Sequence, residues 1–138
     1  MTSTIRGTQI LSSFKTALRD QLGISLKPTS ISRQVYQLET NNNCLLYVKT
    51  RSDYPIKWGV TKNVIDRLSN QDLPWAVILL FLSHESGYLL SSDDVEYYIN
   101  NVWPLGSDGD YKPAEGSYLS RNYPFNSVLS LLDEIKSI

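Results

Sequence analysis

The sequence predicts a single α/β domain with a mixed central sheet, made of a three-strand meander, a helix and two further strands, flanked by helices. Three observations carry that expectation. Residues 75–82 form an unbroken apolar run of strand length, the pattern of a central strand covered on both faces. Segments 33–40 and 44–51 read as strands around Asn41-Asn42-Asn43, a strong turn signal because Asn tolerates positive φ. Apolar residues at three- and four-residue spacing mark helices before, between and after the strands. A chain of 138 residues, 41% of them hydrophobic, is large enough to bury one core.

Taken in order, Thr8 caps a first helix in which Ile10, Leu11, Phe14, Leu18 and Leu22 form one stripe, and Gly23 stops it. Lys15, Arg19 and Asp20 fall on its solvated face. Pro28 and a serine-rich turn lead into the hairpin. Ser52-Asp53-Tyr54-Pro55 then turns the chain into a short third strand, 57–60, which completes the meander. Thr61 caps a short helix with Val64, Ile65 and Leu68 on its apolar face, and Leu73-Pro74 resets the chain before the buried strand. His84 to Gly87 is a turn, and Tyr88, Leu89 and Leu90 return as another strand.

Ser91 and Asp94 have the spacing of a capping box, with Asp93, Asp94 and Glu96 favourably placed against the dipole of a helix that runs to about Trp103. Residues 104–124 read as a long loop rich in Gly, Asp, Ser, Pro and Tyr, of a length that is often functional. Val128, Leu129, Leu131, Leu132 and Ile135 mark a C-terminal helix capped by Asn126 or Ser127. The expected organisation is one domain over 1–138, with a core at 8–103, the loop at 104–124 and the last helix at 125–137.

Thirteen basic and 14 acidic side chains give a net charge of −1, so no bulk field draws the chain to nucleic acid or to an anionic membrane. A local basic patch is compatible with that balance. The single cysteine, Cys44, has no internal disulfide partner and reads as a small buried hydrophobe in a reducing cytoplasm. With no apolar signal-peptide core and no apolar run long enough to span a bilayer, the expected setting is soluble and cytoplasmic, with no membrane partner. His84 is the only histidine, which excludes a zinc site of the usual His/Cys type and reads as a surface residue. The segment Gly106-Ser107-Asp108-Gly109-Asp110 lacks the spaced ligands and terminal glutamate of a calcium loop and reads as a turn.

Basic residues cluster in sequence around the meander and the helix after it: Arg33, Lys49, Arg51, Lys57, Lys62 and Arg67, interleaved with Tyr36, Tyr47, Tyr54 and Trp58. Sharing one face, they would suit phosphate contacts and base stacking. Arg33, Lys49, Arg51, Lys62 and Arg67 are the candidate nucleic-acid-binding residues. Tyrosine is abundant, and Tyr111 and Tyr118 in the long loop also suit contact with a protein partner or a second copy of the chain.

The order helix, hairpin ending in x-Lys, short strand, helix, buried strand resembles the PD-(D/E)xK, restriction-endonuclease-like nuclease fold over roughly residues 10–90. The matching segments are Gln34-Val35-Tyr36-Gln37-Leu38-Glu39 and Leu46-Tyr47-Val48-Lys49-Thr50-Arg51. The resemblance implies a divalent metal, Mg²⁺ or Mn²⁺, held by two carboxylates, with a lysine that stabilises developing charge. Lys49 fits that lysine. Tyr47 stands where the second carboxylate belongs, and Gln37 or Gln34 where the first does. Glu39, two residues along the same strand face, and Asp20, on the first helix, are the substitute metal ligands, and Lys49 with Glu39 are the candidate catalytic residues.

A second stretch, Lys57-Trp58-Gly59-Val60-Thr61 with Lys62 to Leu68, is similar to the second half of the GIY-YIG nuclease core. That likeness implies a catalytic arginine at Arg67, Leu45-Leu46-Tyr47 in place of the first tripeptide and a metal-binding glutamate at Glu96. The leading expectation is a nucleic-acid-associated protein of nuclease-like fold, with a degenerate motif or altered activity. The alternatives are a non-enzymatic interaction or accessory subunit using the 104–124 loop, and a GIY-YIG-type metal-dependent nuclease.

Overall fold

A computed structural model describes residues 7–38, 43–136 and 138. The chain is mixed α/β. A five-stranded sheet has the order β1 (Leu26–Pro28), β2 (Val35–Leu38), β3 (Cys44–Arg51), β5 (Trp75–Phe81), β6 (Gly87–Ser91). β2 runs antiparallel to both β1 and β3, β3 and β5 are parallel, and β6 returns antiparallel beside β5. The parallel step requires a crossover, and α2 (Lys62–Ser69) supplies it. A separate two-stranded sheet pairs β4 (Val60–Thr61) with β7 (Asp110–Tyr111).

Strand alternation divides the core in two. Leu46, Val48, Ile78 and Leu80 face α1 (Gly7–Leu22) and α4 (Val128–Ile135), which contribute Ile10, Phe14, Leu18, Val128, Leu131 and Ile135. Leu45, Tyr47, Val77, Leu79 and Leu90 face α2 and α3 (Ser92–Asn101), which contribute Ile65, Leu68, Val95 and Tyr98. β5 is therefore covered on both faces, as its continuous apolar run requires.

Local signals end and start several helices as their chemistry predicts. Gly23, at φ +67°, closes α1, and its N–H donates to the Arg19 carbonyl. Ser91 and Asp94 form both bonds of the capping box on α3. Ser127 caps α4 through the Ser130 N–H. Thr61 is the N-cap of α2, but its side chain makes no capping bond. Thr8 lies inside the first turn of α1 instead of capping it.

The meander differs from the expectation in one respect. Its third strand is β1, upstream of the hairpin, and 57–60 stays out of the main sheet. Both edges of β3 are already taken, by β2 and β5, so the segment has no place beside it. Ile56, Trp58 and Val60 instead point alternately into the core on the α2/α3 face. The long loop also has order of its own: β7, a 3-10 turn at Ser117–Leu119, and buried Tyr111 and Leu119. Glu39 and the predicted turn up to Asn42 lie outside the described residues. Among the described residues, no helix is long and apolar enough to cross a membrane.

Candidate functional site

Past Val48 the apolar run of β3 ends, and the strand finishes in Lys49, Thr50 and Arg51, all half-buried. Alternation sends Lys49 and Arg51 to the α2/α3 side of the sheet, opposite α1. Lys49 Nζ donates to Gln34 Oε1 at 3.1 Å and stands 5.9 Å from the centre of the Tyr47 ring. Burial lowers its pKa from the ordinary lysine value, and Asp110 pulls the other way. Tyr47 is fully buried, and its hydroxyl accepts the Thr61 N–H at 3.2 Å.

Facing β3 is an irregular ribbon. Residues 56–61 run antiparallel to 110–115: Trp58 N–H donates to the Pro113 carbonyl, Glu115 N–H donates to the Ile56 carbonyl, Lys57 bridges to Ala114, and β4 pairs with β7. The ribbon is anchored from below, because the Trp58 indole donates to the Leu80 carbonyl at 2.9 Å and its ring packs edge-on against Phe81 and Tyr88. Gly59 permits its closest approach. A Cβ there would stand 2.8 Å from Asp110 Oδ2.

Between β3 and the ribbon lies a cleft of about 430 Å³ lined by Lys49, Arg51, Lys57 and Lys112, with one carboxylate, Asp110. Arg51 is held from outside by the Asp53 and Pro55 carbonyls at 3.0 and 3.1 Å and by the Asp53 carboxylate at 3.4 Å. Lys112 pairs with Asp108 at 2.5 Å, inside the Gly106 to Asp110 turn. Lys57 is exposed and makes no ion pair among the described residues.

Of the five candidate nucleic-acid contacts, Lys49 and Arg51 meet in this cleft, joined there by Lys57 and Trp58 of the same basic and aromatic stretch. The other three candidate nucleic-acid contacts do not line it. Arg33 is exposed in the turn before β2. Lys62, on the exposed first turn of α2, pairs with Asp66 at 2.7 Å. Arg67 donates to the backbone carbonyls of Ile31 and Ser30 and so ties α2 to the loop before β2. The same contacts give the arginine singled out by the GIY-YIG likeness a structural task. Glu96 is exposed on α3.

Asp20 sits at the end of α1, on the opposite side of the sheet from Lys49, paired with Arg19 at 3.3 Å. It lines a separate groove of about 370 Å³ with Ser12, Ser13, Thr16 and His84, and no hydrogen bond joins Asp20, His84 and the hydroxyls. Sequence reasoning missed Asp110 and Lys112. Both come from the segment read as a loop, and backbone pairing of two irregular stretches leaves no side-chain pattern to find.

Among the described residues, the donors beside Lys49 do not fit the divalent ion that the nuclease resemblance implies. Gln34 is neutral and its oxygen already accepts a hydrogen bond from Lys49, Tyr47 spends its oxygen on a backbone N–H, and Asp110 is one carboxylate among cations. Among the described residues, no group of three or more His, Cys, Asp and Glu side chains is placed to hold a metal ion. What the arrangement can do chemically is hold an anion, through ammonium and guanidinium donors in a partly dehydrated cleft. No protein-family model matches the chain, and no curated protein resembles it at a significant level.

Proposed function

We propose that the protein is nucleic-acid-associated, with a nuclease-like architecture whose catalytic motif has degenerated, and that it holds backbone phosphate in the cleft without metal-dependent cleavage. One observation carries this reading: Lys49, Arg51, Lys57 and Lys112 converge on a single cleft at the end of β3 although the chain as a whole is slightly acidic. The order of α1, hairpin, crossover helix and buried parallel strand, with Lys49 at the end of the hairpin's second strand, supports the nuclease-like part of the proposal. Neutral Gln34 and Tyr47 in place of the carboxylates support loss of cleavage.

The test is fluorescence anisotropy with labelled single- and double-stranded oligonucleotides across 50 to 200 mM salt. Binding should weaken with salt and fall by about tenfold in the Lys49→Ala/Arg51→Ala double variant. Unchanged affinity in that variant would remove the cleft from the argument. Incubation with Mg²⁺ or Mn²⁺ should leave the oligonucleotides intact, and cleavage abolished by Glu39→Ala would restore the enzymatic reading.

A second reading has its own observation. Tyr118 and Tyr123 are exposed, and the Arg121 guanidinium lies 4.1 Å from the centre of the Tyr97 ring, a grouping of the residue types enriched in protein interfaces. If this surface serves a protein partner, Tyr123→Ala should bind the oligonucleotides as the unmodified chain does.

A further inference from the structure

The charges of the cleft are more nearly balanced than its four cations imply. Arg51 is already paired with Asp53 and Lys112 with Asp108, both at the rim. Asp110 lies within the cleft itself, and its carboxylate makes no hydrogen bond among the described residues. It is held there by backbone geometry: Asp110 pairs with Thr61 across the β4–β7 ribbon, and the bare Cα of Gly59 lets the carboxylate settle against the opposing strand. Counting the residues that line the cleft and the partners bonded to them, four cations face three carboxylates, which leaves one positive charge.

A site with that balance discriminates by ligand charge. A phosphodiester carries one negative charge at neutral pH, whereas a terminal phosphomonoester, with its second pKa near 6, carries close to two. With Asp110 offsetting one of the two unpaired ammoniums, Lys49 and Lys57, the first charge meets the one positive charge that is left. A second meets no net positive charge and stands near Asp110, where like charges a few ångströms apart in a partly desolvated cleft repel by about 1–3 kcal/mol.

We infer that Asp110 is the selectivity residue of the cleft, restricting it to one singly charged group, so that an internal phosphodiester is accepted and a terminal phosphomonoester is refused. This rests on the proposed nucleic-acid reading and specifies it. The cleft grips the backbone between nucleosides and gives no advantage to a chain end that bears a phosphate.

The experiment is competition at pH 7.5 against a labelled oligonucleotide, with a dinucleoside monophosphate and a nucleoside 5′-monophosphate as the two competitors. The unmodified protein should take the diester over the monoester by about tenfold, and Asp110→Asn, close to isosteric, should bring the two within about twofold by strengthening the monoester. Asp110→Ser, which removes the charge and shortens the side chain, should do the same. Equal affinity of the unmodified protein for both competitors, or a preference that survives in both variants, would overturn the role of Asp110 while leaving oligonucleotide binding intact. Failure of the unmodified protein to bind any oligonucleotide would overturn the nucleic-acid reading, and this inference with it.

Discussion

The two faces of the sheet are built from different materials. On the α1/α4 face the buried contacts are mostly aliphatic, with Phe14, Phe125 and Tyr36 as the buried rings. On the α2/α3 face the core includes Tyr47, Trp58, Tyr88, Tyr98, Trp103 and Tyr111. There the polar tips tie the irregular ribbon and loop to the rest of the fold: Tyr47 to Thr61 N–H, the Trp58 indole to the Leu80 carbonyl of β5, and the Trp103 indole to the Tyr118 carbonyl at 2.8 Å. Tyr98 stacks on Trp103 at 5.1 Å, donates to Asn122 Oδ1 and accepts the Arg121 N–H. Asn122 in turn donates to Asp94 of the α3 capping box. The first face needs only area removed from water, which is non-directional. The second must also fix where loops lie, and directed hydrogen bonds from buried rings do that. The cleft is on the second face for this reason: its wall is loop.

Phe14→Ala should test the first half of that contrast most severely. Phe14 is fully buried, so truncation should cost about 3–5 kcal/mol in chemical denaturation. Oligonucleotide affinity, measured while the variant is folded, should be unchanged. A weakened cleft would mean that the two faces are mechanically coupled.

Alkaline titration probes how dry the same face is. Burial pushes the Cys44 thiol from 9.0 up to about 11. Between those values the unfolded chain loses its thiol proton while the folded chain keeps it, so the unfolded state binds fewer protons and stability falls as pH rises. The loss should approach about 2 kcal/mol across that window and be absent in Cys44→Ala. A stability curve over this pH range that is the same with and without the thiol would show that water reaches Cys44.

On the second face the expected effect is smaller and local. Tyr98→Phe keeps the ring and strands Asn122 Oδ1 and the Arg121 N–H, at a cost of about 1–2 kcal/mol. Hydrogen exchange should quicken through residues 117–125 and stay slow in β5. Uniform loosening of both regions would remove the distinction between a face that holds the fold and one that places loops.

Much of the architecture was legible because it rests on local periodicity. The apolar run that became β5, the stripe of α1, the Gly23 stop and the Ser91/Asp94 box each report a face or an end within a few residues of chain. The meander was half legible. Leu26-Lys27-Pro28 is too short to signal a strand, while 57–60 carries a strand-like alternation that it uses to bury side chains with no neighbour in the main sheet. The site was legible at Lys49 and Arg51, where charge follows directly on a buried strand, and at Lys57 in the basic stretch after it.

The sequence by itself therefore determined the α/β class, the order of most elements and the basic end of β3, since hydrophobic spacing and capping are properties of neighbours in the chain. Only the tertiary structure decided what faces those cations. Asp110 and Lys112 arrive on a ribbon held by backbone hydrogen bonds, which almost any residue can make, and by the missing side chain of Gly59. The same tertiary contacts withdrew Arg67 onto the carbonyls of Ser30 and Ile31 and set Asp20 behind the sheet. A count of charges along the chain cannot anticipate which of them will share a cleft, because that depends on which two irregular segments pair.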